Sequence, residues 1–228
     1  MGRDYSKFEE KIGYSFSNIQ LLEQAFSHSS YINERKVNHG ESYERMEFLG
    51  DAVLELVVSQ YLFDHYKEKP EGELTKLRAS LVCEATLSQC ARIMGIGDYL
   101  LLSKGEELTG GRQRESILCD VFEAVLGAIY IDGGLVAART HVERFLMTDI
   151  EEKQLFYDAK TILQEKMQKD GNKVTYELVE ERGPQHSKEF VVQAVIDGNV
   201  VGKGIGKTKK AAEQMAAYNT LIASKDEK

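Results

Sequence analysis

The chain has 228 residues, of which 42% are hydrophobic and 29% are charged, enough apolar material for one large core or two modest ones. Its formal charge of −8 is unusual for a protein that binds nucleic acid, since such binding depends on Lys and Arg. The sequence shows no apolar run of the length that a membrane span needs and no hydrophobic stretch within residues 1–10, which argues against membrane-spanning and secreted classes and predicts a cytoplasmic protein with no membrane partner.

Residues 1–150 are predicted to form an all-α domain. Apolar residues recur there at three- and four-residue spacing from Phe8 to Leu146, and alternating β-branched runs are absent. This part holds 24 Asp and Glu against 16 Lys and Arg, whereas residues 151–228 hold 13 of each kind. The whole acidic excess therefore lies in the first domain, where it indicates either a solvated surface or a cation-binding site.

The segment from Glu44 to Phe63 is predicted to be a helix with acids on one face. These acids occupy positions i, i+3, i+7 and i+11, and they are Glu44, Glu47, Asp51 and Glu55. Such a row of acids ordinarily marks a helix face that is exposed to solvent. The remaining positions are apolar on nearly all sides, however, which predicts a buried helix, and Gly50 indicates the close approach of another backbone.

The segment from Ser116 to Ile131 is predicted to be a second core helix, ended by Gly133 and Gly134. Its only charged residues are Asp120 and Glu123, spaced i and i+3. Uncompensated buried carboxylates are costly, so they must be protonated, paired with cations from elsewhere in the chain, or bound to a metal ion. Converging carboxylates without His or Cys favour Mg²⁺, with Mn²⁺ as a possible substitute, over Zn²⁺.

Residues 158–228 are predicted to form a small α+β domain of order α-β-β-β-α, joined to the first domain by a linker at residues 151–157. In the middle of this domain the apolar period changes to two, which gives three predicted strands with a hairpin turn at Asp197-Gly198-Asn199. Helical patterns flank the strands, from Asp158 to Lys169 and from Lys209 to Ala223. The charged linker is nearly as consistent with a helical extension.

Several motifs closely resemble those of the ribonuclease III family, in the family's order. YERMEFLGDAVL, from Tyr43 to Leu54, resembles the family signature, and SILCDVFEAVLGAIY, from Ser116 to Tyr130, resembles its second acidic motif. Three further segments also match: LLEQAFSHSSYINE, EGELTKLRASLV and GGRQRES. The resemblance covers nearly the whole chain. It implies an endoribonuclease of RNA processing and maturation, which uses divalent metal to hydrolyse double-stranded RNA and leaves 5′-phosphate and 3′-hydroxyl ends.

The resemblance also assigns roles to individual acids. The positions that match are Asp51 and Glu123 for the catalytic pair, and Glu47, Asp120 and Glu123 for the Mg²⁺ ligands. Glu44 and Glu71 match acids that the family places close by, which implies supporting roles. One or two ions per site would both suit hydrolysis by metal-activated water. The family further implies a homodimer, in which paired signature helices form a valley for the duplex.

The second domain resembles the double-stranded-RNA-binding domain through DAKTILQEKMQ, GPQHSKEF and GKTKKAAEQMAA. The RNA contacts that this implies are Thr161, Gln164, Glu165, His186, Lys207, Lys209 and Lys210. The first helix and the His186 loop would meet successive minor grooves, while the lysines would bind phosphates across the major groove between them. Lysines at a helix N-terminus oppose the helix dipole, which is explained if an anion binds there.

A catalytically silent dimer that binds double-stranded RNA is the main alternative. A silent relative would be expected to have lost one of the acids of the two helices, and none is missing. Gly206-Lys207-Thr208 is similar to part of a nucleotide-binding P-loop, but the glycine that the motif requires falls at Val201, so no nucleotide cofactor is predicted. Arg112 and Arg114 fit RNA contacts and ordinary loop residues about equally well.

Overall fold

A computed structural model of the protein describes residues 4–35, 42–184 and 188–226. The chain divides into two compact units, Met1–Ile150 and Glu151–Lys228. The described part of the first unit is built from helices, and the second unit contains a three-stranded sheet with flanking helices. The predicted fold class, an all-α domain followed by an α-β-β-β-α domain, is therefore confirmed.

The helices of the first unit follow one another with short connections. They are α1 (Ser6–Ile12), α2 (Ile19–Ala25), α3 (Ser29–Arg35), α4 (Glu44–His65), α5 (Glu71–Leu81), α6 (Glu84–Met94), α7 (Ile96–Tyr99), α8 (Lys104–Leu108) and α9 (Glu115–Phe145), with a 3₁₀ turn at Gly111–Gln113. The two long helices, α4 and α9, contain the two acidic motifs.

Helices α4 and α9 cross at the centre of the first unit. Both contribute fully buried apolar side chains, among them Leu54, Val58, Phe122 and Val125. A Cβ on Gly50 would lie 1.9 Å from the carbonyl oxygen of Glu123, and a Cβ on Gly127 would lie 2.3 Å from that of Met46. Only glycine lets the two backbones approach this closely, so the expectation that Gly50 faces another backbone is met.

One side of α4 is exposed, although the sequence predicted burial on nearly all sides. Phe48 is 81% exposed, Leu56 is 54% exposed and Phe63 is 72% exposed. These three residues lie on one face of the helix, and we call them the α4 stripe. Hydrophobic periodicity identifies an apolar face but does not say whether the same chain covers it.

Helix α9 also departs from expectation, because it is long and apolar enough to cross a membrane by length and composition. Half of its most apolar stretch is buried inside the protein. Its position in the core of the first unit accounts for its apolar composition. The helical backbone is interrupted at Gly134 (φ 73°, ψ −173°), where a pair of glycines was expected to end the helix.

The second unit contains an antiparallel sheet with strand order β1-β2-β3. Its elements are α10 (Ile150–Tyr157), which begins at the boundary, α11 (Ala159–Lys169), β1 (Val174–Arg182), β2 (Glu189–Ile196), β3 (Asn199–Gly206) and α12 (Lys209–Asp226). The expected linker at residues 151–157 is thus helical. Leu155 of α10 packs with Ala159 and Leu163, and Gln214 of α12 donates a hydrogen bond to the carbonyl oxygen of Phe156 (2.9 Å).

Helix α12 lies directly against β3 because the strand presents glycines to it. A Cβ on Gly204 would lie 2.2 Å from the backbone nitrogen of Ala216, and a Cβ on Gly206 would lie 2.6 Å from that of Ala212. The close packing fixes the N-terminus of α12 next to the end of β3. The short turn between them contains Lys207.

Candidate active site and RNA-binding surface

Four acids lie where α4 and α9 cross, near enough for their charges to affect the pKa values of Glu47 and Glu123. Glu47 and Asp51 lie one turn apart on α4, and Asp120 and Glu123 lie one turn apart on α9. Burial, and then the charges of Asp51, Glu47 and Asp120, raise the pKa of Glu123 to about 8. Burial, and then the charge of Asp120, raise the pKa of Glu47 to about 7. The predicted catalytic pair and the predicted metal ligands therefore lie near one another at the helix crossing, and we call these four residues the carboxylate cluster.

Basic side chains of the described residues do not neutralise the carboxylate cluster. Within the described ranges, none of the four acids forms an ion pair with Lys or Arg. Burial raises the pKa of Asp120 as well, and a hydrogen bond from Tyr43 opposes that rise. The sequence analysis left three explanations for the buried acids: protonation, pairing with basic side chains, or a bound metal ion. Protonation and a bound metal ion remain.

The two acids with expected supporting roles lie in different places. Glu44 is exposed at the start of α4, and its charge contributes to the raised pKa of Glu47. Glu71 is the first residue of α5, where its carboxylate accepts a hydrogen bond from Thr75 (2.9 Å). It lines a separate surface pocket together with Phe63 and Arg78. Glu44 thus borders the cluster, and Glu71 belongs to another surface of this chain.

The last acid of the α4 face, Glu55, has a partner of its own. Its Oε2 atom lies 3.0 Å from Nε of Arg78, and Nη1 of Arg78 donates a hydrogen bond to Ser59 (2.9 Å). This ion pair is partly exposed and contributes little to stability. It distinguishes Glu55, which has a cation beside it, from the four acids of the cluster.

The donor set suits a hard divalent cation. No three of the described His, Cys, Asp and Glu side chains converge as a ready-made ion-binding cluster. Mg²⁺ sites, however, usually take only one or two protein carboxylates and complete the shell with water and substrate phosphate. Glu47, Asp120 and Glu123 are half-buried and form no ion pair with a described Lys or Arg, so their carboxylates provide such oxygen ligands. The residues present therefore fit Mg²⁺ or Mn²⁺.

Arg112 and Arg114 have structural partners in the first unit. Nη1 of Arg112 donates hydrogen bonds to the carbonyl oxygens of Gly97 (2.8 Å) and Leu100 (3.0 Å), and its Nε and Nη2 atoms bind Glu107. Arg114 pairs with Glu106. With these donors already bonded, the structure favours the ordinary loop interpretation over RNA contact for both arginines.

The predicted contacts on α11 lie on the side of the helix away from the core. Ala159 and Leu163 are buried beneath the helix. Thr161 is half-buried, whereas Gln164 and Glu165 are exposed. Their spacing of i, i+3 and i+4 places the three side chains on one face of the helix, where a single ligand could contact all of them.

The lysines predicted to contact phosphates are exposed at or just before the N-terminus of α12; they are Lys207, Lys209 and Lys210. The Nζ atom of Lys209 lies 5.9 Å from the centre of the Phe190 ring and 4.0 Å from Oε1 of Glu181. Lys188 also pairs with Glu181, and its Nζ atom lies 5.5 Å from the same ring. We call these four residues, Glu181, Lys188, Phe190 and Lys209, the lysine cluster.

Lys188 was not among the contacts expected from the sequence. It belongs to the GPQHSKEF segment, so its position in that motif was the available signal. His186 of the same segment lies outside the described residues. The lysine cluster connects the end of the β1–β2 loop to the start of α12, which places cations from two motifs side by side.

Comparison with known proteins decides the family. A family model described as ribonuclease-III-like matches residues 18–150, and one described as a double-stranded RNA binding motif matches residues 159–222. A ribonuclease 3 from Anoxybacillus flavithermus is 49% identical over 97% of this chain and 94% of its own length. The chain belongs to the ribonuclease III family. The predicted family is confirmed, and the predicted enzyme class, a ribonuclease III, is confirmed with it.

Other ribonuclease III relatives agree with this assignment. A ribonuclease 3 from Geobacillus kaustophilus is 48% identical over 95% of this chain and 89% of its own length. The nuclease domain of ribonuclease III from Campylobacter jejuni, in which a region is involved in dimer formation, superimposes with a TM-score of 0.60 at 39% identity. The match covers 64% of this chain and 98% of that one.

Proposed function

We propose that this ribonuclease III hydrolyses phosphodiester bonds within double-stranded RNA and acts in RNA processing and maturation. The observation that carries the proposal is the cluster of Glu47, Asp51, Asp120 and Glu123, where the pKa of Glu123 is raised to about 8 and no described Lys or Arg pairs with any of the four acids. Carboxylates held in this way favour chemistry that a divalent cation assists.

Glu47, Asp120 and Glu123 are the proposed ligands of Mg²⁺, for which Mn²⁺ can substitute. All three are half-buried, and a cation beside them would lower the raised pKa values and keep the carboxylates ionised. When bound, the metal supplies an activated water and neutralises charge on the phosphate. The crossing of α4 and α9, which brings acids of both helices near one another, supports this assignment.

Asp51 and Glu123 are the proposed catalytic pair. Asp51 is exposed, whereas Glu123 is half-buried, so the two acids face different surroundings across the helix crossing. Asp51 is accessible to the backbone of an approaching duplex and to water, where it can accept or return a proton. The products expected from this family are 5′-phosphate and 3′-hydroxyl ends.

The second unit is proposed to hold the duplex. Thr161, Gln164 and Glu165 of α11 present one polar face, and Lys207, Lys209 and Lys210 supply cations at the start of α12, with His186 as a further contact. The lysine cluster supports this, because the ammonium groups of Lys188 and Lys209 both lie near Phe190 and Glu181. Neighbouring cations and a polar helix face suit recognition of A-form shape without reading sequence.

A homodimer is proposed from the α4 stripe. Large apolar side chains that solvent reaches on one helix face, such as Phe48 (81% exposed) and Phe63 (72% exposed), usually mark a contact surface. Two copies of the same helix face can cover each other about a twofold axis. Because Glu47 and Asp51 lie on the same helix as the stripe, such pairing would place two acidic clusters on one assembly.

The experiment that tests the proposed function compares substrates and metals. Purified protein is incubated with a long RNA duplex in Mg²⁺, in Mn²⁺ or in chelator, beside single-stranded RNA and a DNA duplex of the same sequence. We expect cleavage of the RNA duplex alone, and only with metal. Binding without cleavage in every metal would support the silent double-stranded-RNA-binding dimer instead, and equal cleavage of all substrates would contradict the specificity.

A further inference from the structure

Tyr43 occupies an unusual place next to the carboxylate cluster. The residue immediately precedes α4 and is only 3% exposed. Its backbone nitrogen donates to the carbonyl oxygen of Ser27 (2.9 Å), and its own carbonyl oxygen accepts from the backbone nitrogens of Met46 (2.8 Å) and Glu47 (2.9 Å). The backbone of Tyr43 is therefore fixed at the start of the helix that bears Glu47.

The side chain of Tyr43 reaches across to the other acidic helix. Its hydroxyl donates a hydrogen bond to Oδ2 of Asp120, with an oxygen–oxygen distance of 3.2 Å. The ring lies 5.7 Å from the imidazole of His28. That imidazole is itself held, because its Nδ1 atom accepts a hydrogen bond from the backbone nitrogen of Ser30 (3.1 Å).

We propose that Tyr43 is a positioning residue that acts through Asp120, holding one carboxylate oxygen so that the other is presented to the metal. This inference rests on the proposed metal-dependent function. A carboxylate that ligates a metal usually has a hydrogen-bond donor on its remaining oxygen, and that donor fixes the direction of the ligand. Tyr43 supplies such a donor from a buried ring, whose orientation is constrained by packing.

The burial of Asp120 strengthens the case. The side chain of Asp120 is half-buried, and the Tyr43 hydroxyl gives its carboxylate a hydrogen-bond partner. The donor immediately precedes α4, the helix that carries Glu47, and Asp120 is on α9. The hydrogen bond therefore also links the two helices that carry the proposed ligands. Tyr43 itself is too deeply buried to touch RNA, and Asp120 is the proposed metal ligand that its hydroxyl contacts.

The test is Tyr43→Phe in the full-length protein, because phenylalanine keeps the buried ring and removes only the hydroxyl. The matched control is Tyr14→Phe. Tyr14 donates a hydrogen bond to Oδ2 of Asp132 (2.8 Å). Asp132 is on α9, like Asp120, but lies outside the carboxylate cluster. Both variants and the parent are freed of metal with chelator and titrated with Mn²⁺ in a calorimeter. Thermal unfolding without metal checks that each variant is folded.

Loss of an outer hydrogen-bond partner typically weakens metal binding about 10- to 100-fold. We therefore expect Tyr43→Phe to weaken Mn²⁺ binding at least about tenfold, whereas Tyr14→Phe leaves it unchanged. Cleavage by Tyr43→Phe should need more Mg²⁺ and recover most of its maximal rate when Mg²⁺ is raised. In an Asp120→Asn background the Tyr43→Phe change should cause no further loss of Mn²⁺ affinity.

Three outcomes would overturn the inference. The first is a folded Tyr43→Phe protein that binds Mn²⁺ as tightly as the parent. The second is an equal loss in Tyr14→Phe, which would indicate a general effect on the fold. The third is a full additional loss in the Asp120→Asn background, because Tyr43 would then act independently of Asp120. A parent protein that neither binds Mn²⁺ nor cuts duplex would instead contradict the proposed function.

Discussion

Replacing Glu123 with glutamine should abolish cleavage, leave duplex binding nearly intact and stabilise the metal-free protein at alkaline pH. The amide keeps the shape of the side chain and loses the charge that holds the metal. Without metal, the parent must keep Glu123 ionised at high pH, near Asp51, Glu47 and Asp120. Glutamine removes that repulsion and the cost of burying a charge.

The size of the stabilisation follows from the raised pKa of Glu123, which is about 8 in the folded chain against an ordinary value of 4.5. At about 1.4 kcal/mol per pKa unit, the upper limit is about 5 kcal/mol. Solvent reaches part of this side chain, which reduces the expected gain to about 1–3 kcal/mol. Since the folded protein holds the proton more tightly than the unfolded chain, the parent's destabilisation is absent below pH 4.5, grows with pH and is complete above pH 8.

Thermal unfolding of parent and Glu123→Gln after chelation, at pH 5 and at pH 8, measures this effect. The variant should be more stable than the parent at pH 8 and nearly as stable as the parent at pH 5. Adding Mg²⁺ should stabilise the parent by mass action, by about 2.7 kcal/mol at 100 times the dissociation constant, and the variant less. Glu143→Gln, which changes an exposed acid of the same helix, is the control. An active Glu123→Gln enzyme with unchanged Mg²⁺ dependence would remove Glu123 from the proposed metal site.

Three further predictions concern binding, assembly and folding. Alanine at Lys209 and Lys210 should weaken duplex binding for all sequences and reduce the log–log salt slope by about one for each phosphate that is no longer neutralised, with cleavage restored by saturating RNA; filter binding at several salt concentrations measures this. Phe48→Asp should yield monomers in light scattering, whereas Leu108→Asp, 88% exposed but outside the α4 stripe, should remain dimeric. Gly127→Ala should lower stability by about 1–3 kcal/mol in denaturant unfolding, because its Cβ would lie 2.3 Å from a backbone oxygen.

The acidic helices and the order of helices and strands could be predicted, because the spacing of apolar and charged residues along the chain determines them. Asp120 and Glu123 are the only charges in an apolar run, which predicts one buried acidic face without knowledge of the neighbouring helix. Gly50 added the expectation of a close backbone, and the structure identifies that backbone as α9. The change of period from helix to strand likewise predicted the sheet of the second unit.

Features that depend on partners distant in sequence could not be predicted in this way. The role inferred for Tyr43 rests on a contact 77 positions away, with Asp120. The partners of Arg112, which include the carbonyl oxygens of Gly97 and Leu100, are equally invisible to periodicity. The helical state of residues 151–157 depends on packing of Leu155 with α11. Each is a tertiary contact, and a single sequence does not encode its distance or direction.

The proposed function requires that a metal held by the carboxylate cluster enables this chain to cut double-stranded RNA. Cleavage of one long RNA duplex by the parent and by Asp51→Asn, with binding of the same duplex measured in parallel, tests this requirement. We predict that the parent cuts with Mg²⁺ and stops with chelator, while Asp51→Asn binds the duplex but does not cut it. Equal cleavage by both proteins, or cleavage by the parent that persists in chelator, would contradict a metal-dependent carboxylate site.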